Sequence, residues 1–428
     1  MMKTGGKPWQ TTSLLIGLIL GVIVTVSTNS IINWIKSKYV DNKKKDPSFV
    51  RSIEITDSIM GLIGNTPLMR IKSLSEATGC EILGKAEFLN PGGSPKDRVA
   101  LNIINKAEEK GLIKPNTGCT IFEGTTGSTG ISIAMVSRAK GYNAWIVVPD
   151  DQAEEKYQLL EKLGATVEKV RPVGIVDKRQ YVNLAQSRAQ EFGKIKKEKS
   201  FENNGDDKQG DNDNDDDNNK GSGYFADQFE NLANFEAHYK GTGPEIFKQT
   251  NGKIDAFIAG AGTGGTISGI SRYLKPLIPN LKIYLVDPPG SGLYNKVKYN
   301  IMYSSSEKEG KRRRHQVDTI VEGVGLNRIT ENFNMSQGLI DDAINVTDEE
   351  AVTMARYLVR EEGLFLGSSS AINCVGCVRI ARKLGPGHRI VTMLNDSGQR
   401  HLTKFWNDEY LKQHNIIPKE GEGLSFIE

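Results

Sequence analysis

One lysine stands in a glycine-rich turn, directly before a run of residues typical of a helix. The turn covers residues 90–98 and reads Asn-Pro-Gly-Gly-Ser-Pro-Lys-Asp-Arg, so that its lysine is Lys96; the helical run covers 99–110. The positive end of a helix dipole disfavours a second positive charge, which lowers the pKa of a nearby amine and frees it to attack a carbonyl carbon. Lys96 is therefore the candidate nucleophile of the chain.

Two further glycine-rich turns each follow a strand-like segment and open a helix-like one. The first, 123–130, reads Glu-Gly-Thr-Thr-Gly-Ser-Thr-Gly, and the second, 260–265, reads Gly-Ala-Gly-Thr-Gly-Gly. Such turns bind anions, because backbone N–H groups and the helix dipole point at the same place. The second turn also fits the G-x-G-x-x-G pattern of dinucleotide sites, with Asp287 at the end of the next strand. A nicotinamide-dependent oxidoreductase is therefore one interpretation.

The combination of turns favours a different chemistry. A dehydrogenase has little use for two anion-binding turns and a lysine turn, whereas an enzyme that holds a phosphorylated cofactor and an amino-acid carboxylate needs both turns. Lysine is also the residue that forms Schiff bases with pyridoxal phosphate. The alternative for the turn at 123–130 is a tight strand-to-helix connection without a ligand.

Composition and charge exclude several classes of protein. The 428 residues carry 55 basic and 52 acidic side chains, a balance that is not typical of nucleic-acid binders. Four cysteines in a chain of this length are no disulfide framework. Cys374 and Cys377 form a C-x-x-C in an apolar helical run, 371–384, and we interpret them as buried helix residues rather than a metal or redox site.

The N-terminal segment predicts a membrane anchor. Residues 8–35 contain no charged side chain, and 12–35 are long enough to cross a bilayer as a helix. A lysine cluster at 36–45 follows, which keeps the C-terminal side in the cytosol. A cleavable signal peptide, cut near Ser27, is the alternative. We expect the mitochondrial outer membrane, with the catalytic domain in the cytosol, and the endoplasmic reticulum as the alternative membrane.

Beyond residue 48, strand-like and helix-like segments alternate, which predicts an α/β fold with parallel-rich sheets flanked by helices. The predicted strands are 119–123, 144–149, 166–170, 254–259, 281–286 and 388–394. The predicted helices are 129–140, 152–163, 266–274 and 348–361.

These segments predict two parts, a membrane anchor with its linker at 1–47 and a catalytic domain at 48–428. Within the catalytic domain, a smaller lobe is expected at about 92–193. The polar, Asp- and Asn-rich stretch 194–223 cannot bury a core and predicts a disordered insertion. The stretch 304–315, which ends in four basic residues, predicts a second polar loop.

The three turns, in this order, resemble those of the cysteine synthase and cystathionine β-synthase family. These are pyridoxal-phosphate enzymes of fold type II, the tryptophan synthase β-like fold with two lobes. The resemblance runs from about 55 to 401, and the anchored N-terminus is similar to that of fungal mitochondrial members. Further matching segments are 228–234, 242–246, 322–325 and 395–398.

The resemblance implies a role for each matching residue. Lys96 would bind pyridoxal phosphate covalently and move the α-proton of the substrate, and Ser397 would face the pyridine nitrogen. Ser128 would lie beside the ring oxygen of the cofactor, where the family usually has asparagine. The phosphate would be held by Gly262, Thr263, Gly264, Gly265 and Thr266. The substrate carboxylate would be held by Thr125, Thr126, Thr129 and Gln228.

The implied activity is β-replacement, in which sulfide displaces the β substituent of O-acetylserine or a related activated serine to give cysteine. No metal and no nucleic acid is expected, and the resemblance implies a homodimer. The segment 152–156 departs from the usual Met-Ser-x-Glu-Arg-Arg pattern of the family, which leaves the donor and the acceptor open. The same residues are compatible with a serine- or cysteine-consuming lyase on this fold, and with a scaffold that keeps the fold without catalysis.

Overall fold

Parallel strands joined by helices form two sheets in the computed structural model, which describes residues 55–203, 221–304, 319–419 and 421–427. The larger sheet has the strand order β1-β2-β10-β7-β8-β9, and all its neighbouring pairs are parallel except β1 with β2. The smaller sheet has the order β5-β4-β3-β6, with parallel pairs throughout. The strands are β1 Leu68–Arg70, β2 Glu81–Ala86, β3 Thr120–Gly124, β4 Asn143–Pro149, β5 Thr166–Val170, β6 Gly223–Phe225, β7 Ala256–Gly260, β8 Lys282–Asp287, β9 Asp342–Asn345 and β10 Arg389–Leu394.

Helices connect these strands and cover the sheets. They are α1 Lys72–Thr78, α2 Lys96–Glu109, α3 Ser128–Ala139, α4 Glu154–Lys162, α5 Tyr181–Asn203, α6 Ala233–Ala237, α7 Gly243–Thr250, α8 Gly265–Leu274, α9 Leu293–Tyr299, α10 Glu331–Asn334, α11 Asp348–Glu362, α12 Ser368–Leu384 and α13 Asp408–Gln413. Short 3₁₀ turns occur at Ile59–Leu62, Glu87–Leu89 and Gly398–Arg400, and a π-helical turn at His238–Thr242. The predicted α/β architecture is confirmed.

The central strands of the larger sheet are buried on both faces. Phe257 and Ile258 are neighbours on β7, yet they pack in different hydrophobic clusters because successive side chains point to opposite faces. A strand covered by helices on both faces reads as a continuous apolar run, which is why β7 and β8 are recognisable in the sequence.

The smaller sheet and the helices packed on it form the small lobe, and the larger sheet with its helices and loops forms the large lobe. Both belong to one compact unit, residues 53–428. The small lobe includes β6, which pairs with β3 through Thr120 and Gly223. The strand β6 lies beyond the 92–193 range expected for this lobe, because the chain returns to its sheet after the insertion.

The C-x-x-C lies in the core of the large lobe. Cys374 and Cys377 are buried in α12, and all four cysteines of the chain are free thiols. Burial raises the pKa of the Cys377 thiol to about 12, so it stays protonated near neutral pH. The interpretation of this pair as buried helix residues is confirmed.

The polar insertion predicted to be disordered, 194–223, is described only at its two ends, because 204–220 lie outside the described residues. Gly223 begins β6, and the backbone of 194–203 continues α5 to Asn203. Lysine and glutamate are frequent there, and such straight-chain residues favour helix. The segment 12–35, predicted as an anchor, and most of the loop 304–315 lie outside the described residues. Within the described ranges, the helices are too short or too polar to cross a bilayer.

Candidate active site

All three glycine-rich turns meet at one cavity of about 870 Å³. Lys96, Thr125 and Gly262 line it, and they come from the three different turns. The last two turns follow β3 and β7, so they lie at the carboxyl ends of parallel strands, where ligands bind in open α/β sheets. The turns are far apart in the sequence, and the fold brings them together.

Lys96 is the first residue of α2, three residues before the predicted helix start. Its turn is held by Asp97, which accepts hydrogen bonds from the Gly92 backbone N–H at 2.6 Å and from the Ser132 hydroxyl at 2.5 Å. A side chain at Gly92 would bring its Cβ within 2.3 Å of Asp97 Oδ1, so the turn needs glycine there. Burial lowers the pKa of Lys96 to about 8, although the nearby Asp396 opposes the shift.

The residues predicted to hold the substrate carboxylate lie together. Thr125, Thr126, Thr129 and Gln228 all line the cavity, as does Ser128 at the start of α3. Thr129 donates a hydrogen bond to Gln228 Oε1 at 2.5 Å, and Gln228 Nε2 donates to the Gly124 carbonyl at 3.2 Å. These bonds fix the orientation of the Gln228 amide. The polar groups on this side of the cavity are therefore already in place before a ligand binds.

The turn predicted to hold the phosphate is built for close approach of the backbone. Gly264 has a left-handed φ of 87°, which a side chain rarely adopts. A Cβ at Gly262 would lie 2.0 Å from the Gly323 carbonyl oxygen, and one at Gly265 would lie 2.1 Å from Asn234 Oδ1. Asn234 donates to Thr263 Oγ1 at 2.8 Å, so this hydroxyl is held in place.

His238 supports the same turn and was not predicted. Its Nε2 lies 3.1 Å from Thr266 Oγ1, and its Nδ1 lies 2.9 Å from Thr242 Oγ1. Burial lowers the pKa of His238 to about 3, so the ring is neutral and has one donor and one acceptor nitrogen. His238 and Thr242 are four residues apart, the i, i+4 spacing of one helical face, which is the only sequence signal for this pair.

Two predicted site residues do not line the cavity. Gly265 and Ser397 are absent from its wall, although their neighbours Gly264, Thr266 and Asp396 belong to it. The Ser397 hydroxyl accepts from the Gln399 N–H at 3.3 Å and caps the short turn that follows. Its role at a ring nitrogen stays a prediction.

A buried chain of opposite charges, also not predicted, lies beside Lys96. Lys156 contacts Glu322, Glu322 Oε2 lies 3.2 Å from His401 Nδ1, and His401 Nε2 lies 2.9 Å from Asp396 Oδ2. All four line the cavity. Burial opposes a charge on His401, but Asp396 and Glu322 outweigh it and raise the pKa of His401 to about 9. The imidazole is therefore charged at neutral pH.

Comparison with known proteins decides the family. Residues 59–396 match the family described as pyridoxal-phosphate dependent enzyme. The chain belongs to this family. The pyridoxal-phosphate dependent enzymes include proteins of fold type II, and the two-lobed α/β fold seen here is that fold. Pyridoxal phosphate is the cofactor, as predicted.

Similar proteins within the pyridoxal-phosphate dependent enzymes include several fungal cysteine synthases. Cysteine synthase 2 of Emericella nidulans is 58% identical over 86% of this chain and 84% of its own length. The putative mitochondrial cysteine synthase of Saccharomyces cerevisiae is 51% identical over 85% of this chain and 87% of its own length. The crystal structure of a hydrogen sulfide-producing enzyme from Fusobacterium nucleatum superimposes with a TM-score of 0.62 at 31% identity, covering 81% of this chain and 100% of that one.

The residues at the cavity fit the cofactor of the pyridoxal-phosphate dependent enzymes. The half-buried Lys96 has a lowered pKa, which suits an amine that bonds to the cofactor's aldehyde. The turn at 260–265 lies on the cavity wall and opens α8, so its backbone N–H groups suit a phosphate. Asp287, the residue on which a dinucleotide site would depend, does not line the cavity; its Oδ2 accepts from the Tyr294 N–H at 2.7 Å. The site therefore does not favour a nicotinamide-dependent oxidoreductase.

The lowered pKa of Lys96 predicts how this pyridoxal-phosphate dependent enzyme takes up its cofactor. Only the neutral amine attacks the aldehyde, so the rate at which the cofactor-free protein binds pyridoxal phosphate is expected to rise about tenfold from pH 7 to pH 9 and then level off. Absorbance of the lysine-bound cofactor after rapid mixing measures this rate. A lysine with its usual pKa would give a rise of about a hundredfold without a plateau at pH 9, and that result would contradict the prediction.

Proposed function

We propose that this protein is a pyridoxal-phosphate-dependent cysteine synthase, which replaces the β substituent of O-acetylserine or a related activated serine with sulfide. The observation that carries the proposal is the meeting of three groups at one cavity: Lys96, the turn at 123–130 (the carboxylate turn) and the turn at 260–265 (the phosphate turn). Cysteine synthases at 51% to 58% identity over most of the chain support the same activity.

In the proposed reaction, Lys96 acts as the base. Pyridoxal phosphate, when bound, supplies an electron sink that stabilises negative charge at the substrate α-carbon. Lys96 removes the α-proton and returns it after the new carbon–sulfur bond has formed. Its lowered pKa suits both steps, since an amine that titrates near 8 can accept and donate a proton near neutral pH.

The carboxylate turn is proposed to orient the substrate. Thr125, Thr126, Thr129 and Gln228 would hold the carboxylate with hydroxyl, amide and backbone donors, and this fixes the α-carbon relative to Lys96. Gly262 to Thr266 would hold the cofactor phosphate, with His238 keeping the Thr266 hydroxyl in place. Ser128 would lie near the ring oxygen, and Ser397, a neutral hydroxyl, near the ring nitrogen.

Assays of the full chain with pyridoxal phosphate test the proposal. O-acetylserine, serine, phosphoserine and cysteine are supplied one at a time with sulfide, and cysteine formed from O-acetylserine is the expected result. Sulfide released from cysteine, without cysteine formed from any serine derivative, would replace the proposal with a lyase. The name of the Fusobacterium nucleatum protein, a hydrogen sulfide-producing enzyme, makes this the outcome to test first. Bound cofactor without turnover of any donor would indicate a scaffold.

We also propose that residues 1–47 anchor the catalytic domain, 48–428, in a membrane through the apolar segment 12–35. The uncharged stretch and the lysines that follow it support the anchor, and the name of the yeast relative, a putative mitochondrial cysteine synthase, supports a mitochondrial location. A reporter fused to the C-terminus is expected to be cleaved when intact organelles are treated with protease, because the proposal places it in the cytosol. A protected reporter would overturn this topology.

The enzyme is further proposed to act as a homodimer, as the family resemblance implies. Light scattering of the purified holoenzyme is expected to give twice the mass of the chain, and a mass of one chain would contradict it.

A further inference from the structure

Lys156 connects the two lobes at the cavity. It belongs to α4 of the small lobe, and only 5% of its side chain is exposed. Its ammonium group contacts the carboxylate of Glu322, which lies in a loop of the large lobe. The same nitrogen donates to the Thr126 carbonyl at 3.4 Å, so one side chain touches both the carboxylate turn and the opposite lobe.

The stem of Lys156 also packs on the carboxylate turn. Gly127 has a φ of 146°, and a Cβ built there would lie 2.6 Å from Lys156 Cδ and 3.3 Å from its Nζ. The absence of a side chain at Gly127 therefore makes room for Lys156. Because Gly127 directly follows Thr126, the lysine lies against one of the predicted carboxylate-binding residues.

Glu322, the partner of Lys156, is held firmly on the large lobe. Its backbone N–H donates to Ser368 Oγ at 3.0 Å, and its carboxylate faces the charged ring of His401 at 3.2 Å. His401 in turn is bound to Asp396, which lies beside Lys96. The pair Lys156–Glu322 therefore connects the carboxylate turn, through His401, to Asp396, which lies beside the amine of Lys96.

We propose that Lys156 is a positioning residue, which clamps the carboxylate turn to Glu322 and so keeps the hydrogen-bond donors of that turn in place for the substrate carboxylate. The inference rests on the proposed function, because it concerns the amino-acid substrate of the same site. A positioning residue of this kind sets how tightly the amino acid binds, while the β-substituent chemistry and the binding of sulfide depend on other groups.

Lys156→Met tests the clamp, since methionine keeps an apolar stem and removes the charge. The first readout is the binding of glycine, which has no leaving group, to the holoenzyme, measured from the absorbance change of the bound cofactor. We expect glycine to bind about tenfold more weakly and the KM for the amino-acid donor to rise about tenfold. The KM for sulfide, kcat and the bound cofactor are expected to change less than about threefold. Glycine binding within about twofold of the unmodified enzyme would overturn the proposal.

Two further variants separate positioning from folding. Lys162→Met changes an exposed lysine at the end of the same helix and is expected to leave glycine binding unchanged. Lys156→Arg keeps the charge and is expected to restore glycine binding to within about threefold, even if Lys156→Met lowers the unfolding temperature. Failure of the arginine to restore binding, in an enzyme with full cofactor content, would contradict a role for the charge.

A double-mutant cycle with Glu322→Gln identifies the partner. If the two side chains act as one clamp, the double variant binds glycine about as weakly as Lys156→Met alone, because Lys156→Met has already removed the ion pair with Glu322. Effects that multiply would show that Lys156 acts without Glu322 and would overturn the clamp. If the unmodified holoenzyme forms no cysteine, the proposed function is rejected. The glycine-binding measurements do not depend on that activity, so they test the clamp separately.

Discussion

Replacing Lys96 with alanine is expected to lower the rate of cysteine formation by about 10³-fold or more. A positioned general base alone contributes about 10²- to 10⁴-fold, and this variant also loses the covalent attachment of the cofactor. Turnover of O-acetylserine with sulfide measures the rate. Borohydride reduction followed by mass spectrometry measures the attachment, with a pyridoxyl adduct at Lys96 in the unmodified protein and none in the variant.

Lys110→Ala is the matched control for this experiment. Lys110 is exposed and directly follows the helix that Lys96 begins, so its loss is expected to change neither the rate nor the adduct. Cofactor-dependent cysteine formation retained by Lys96→Ala, or an adduct found on a different lysine, would show that the reacting amine had been misassigned.

The strands that could be predicted are those whose side chains are apolar on both faces. The predicted strand 144–149 lies within one residue of β4, and the predicted strand 281–286 lies within one residue of β8. The strand β2 was not predicted, because Gly84 and the buried Lys85 interrupt its apolar pattern. Lys85 is tolerated there since it contacts Glu245, and no local pattern reveals a partner 160 residues away.

The candidate site also contains some features that could be predicted from the sequence and others that could not. The glycine-rich turns were predictable because local backbone geometry demands glycine, as at Gly264. The contacts that join separate turns were not, since they pair residues distant in sequence, such as Lys156 with Glu322. The start of α2 was placed too late because the prediction began at the first apolar residue, Val99, whereas the helix begins directly after Pro95.

Replacing Arg98 with methionine is expected to lower the free energy of unfolding by about 3–5 kcal/mol, the usual cost of removing one partner from a buried ion pair. Arg98 donates to Glu87 Oε2 at 2.9 Å and to Glu245 Oε1 at 2.6 Å, and all three side chains are buried. Without the guanidinium, two buried carboxylates would share Lys85 as their neighbouring cation among the described residues. Urea unfolding at pH 7 measures the loss.

The pH dependence of this loss follows from Glu87. Burial opposes ionisation of Glu87, but Arg98 outweighs it and lowers the pKa of Glu87 to about 2 from 4.5. A lowered pKa in the folded state stabilises the protein above pH 4.5, and that contribution disappears as the pH falls from about 4.5 to 2. The difference between Arg98→Met and the unmodified protein is therefore expected to shrink over this range.

Arg188→Met is the control that separates a buried network from an ordinary surface pair. Arg188 contacts Glu168 and Glu191 with much of its side chain in solvent, so its loss is expected to cost less than about 1 kcal/mol. If Arg98→Met also costs less than this, Glu87 and Glu245 must have taken up protons or water at little cost. In that case the ion pairs of Arg98 with Glu87 and Glu245 would not be needed to hold α2 in place. The position of Lys96, in the first turn of α2, would then depend on the glycine-rich turn at 90–98 and on the hydrogen bonds of Asp97.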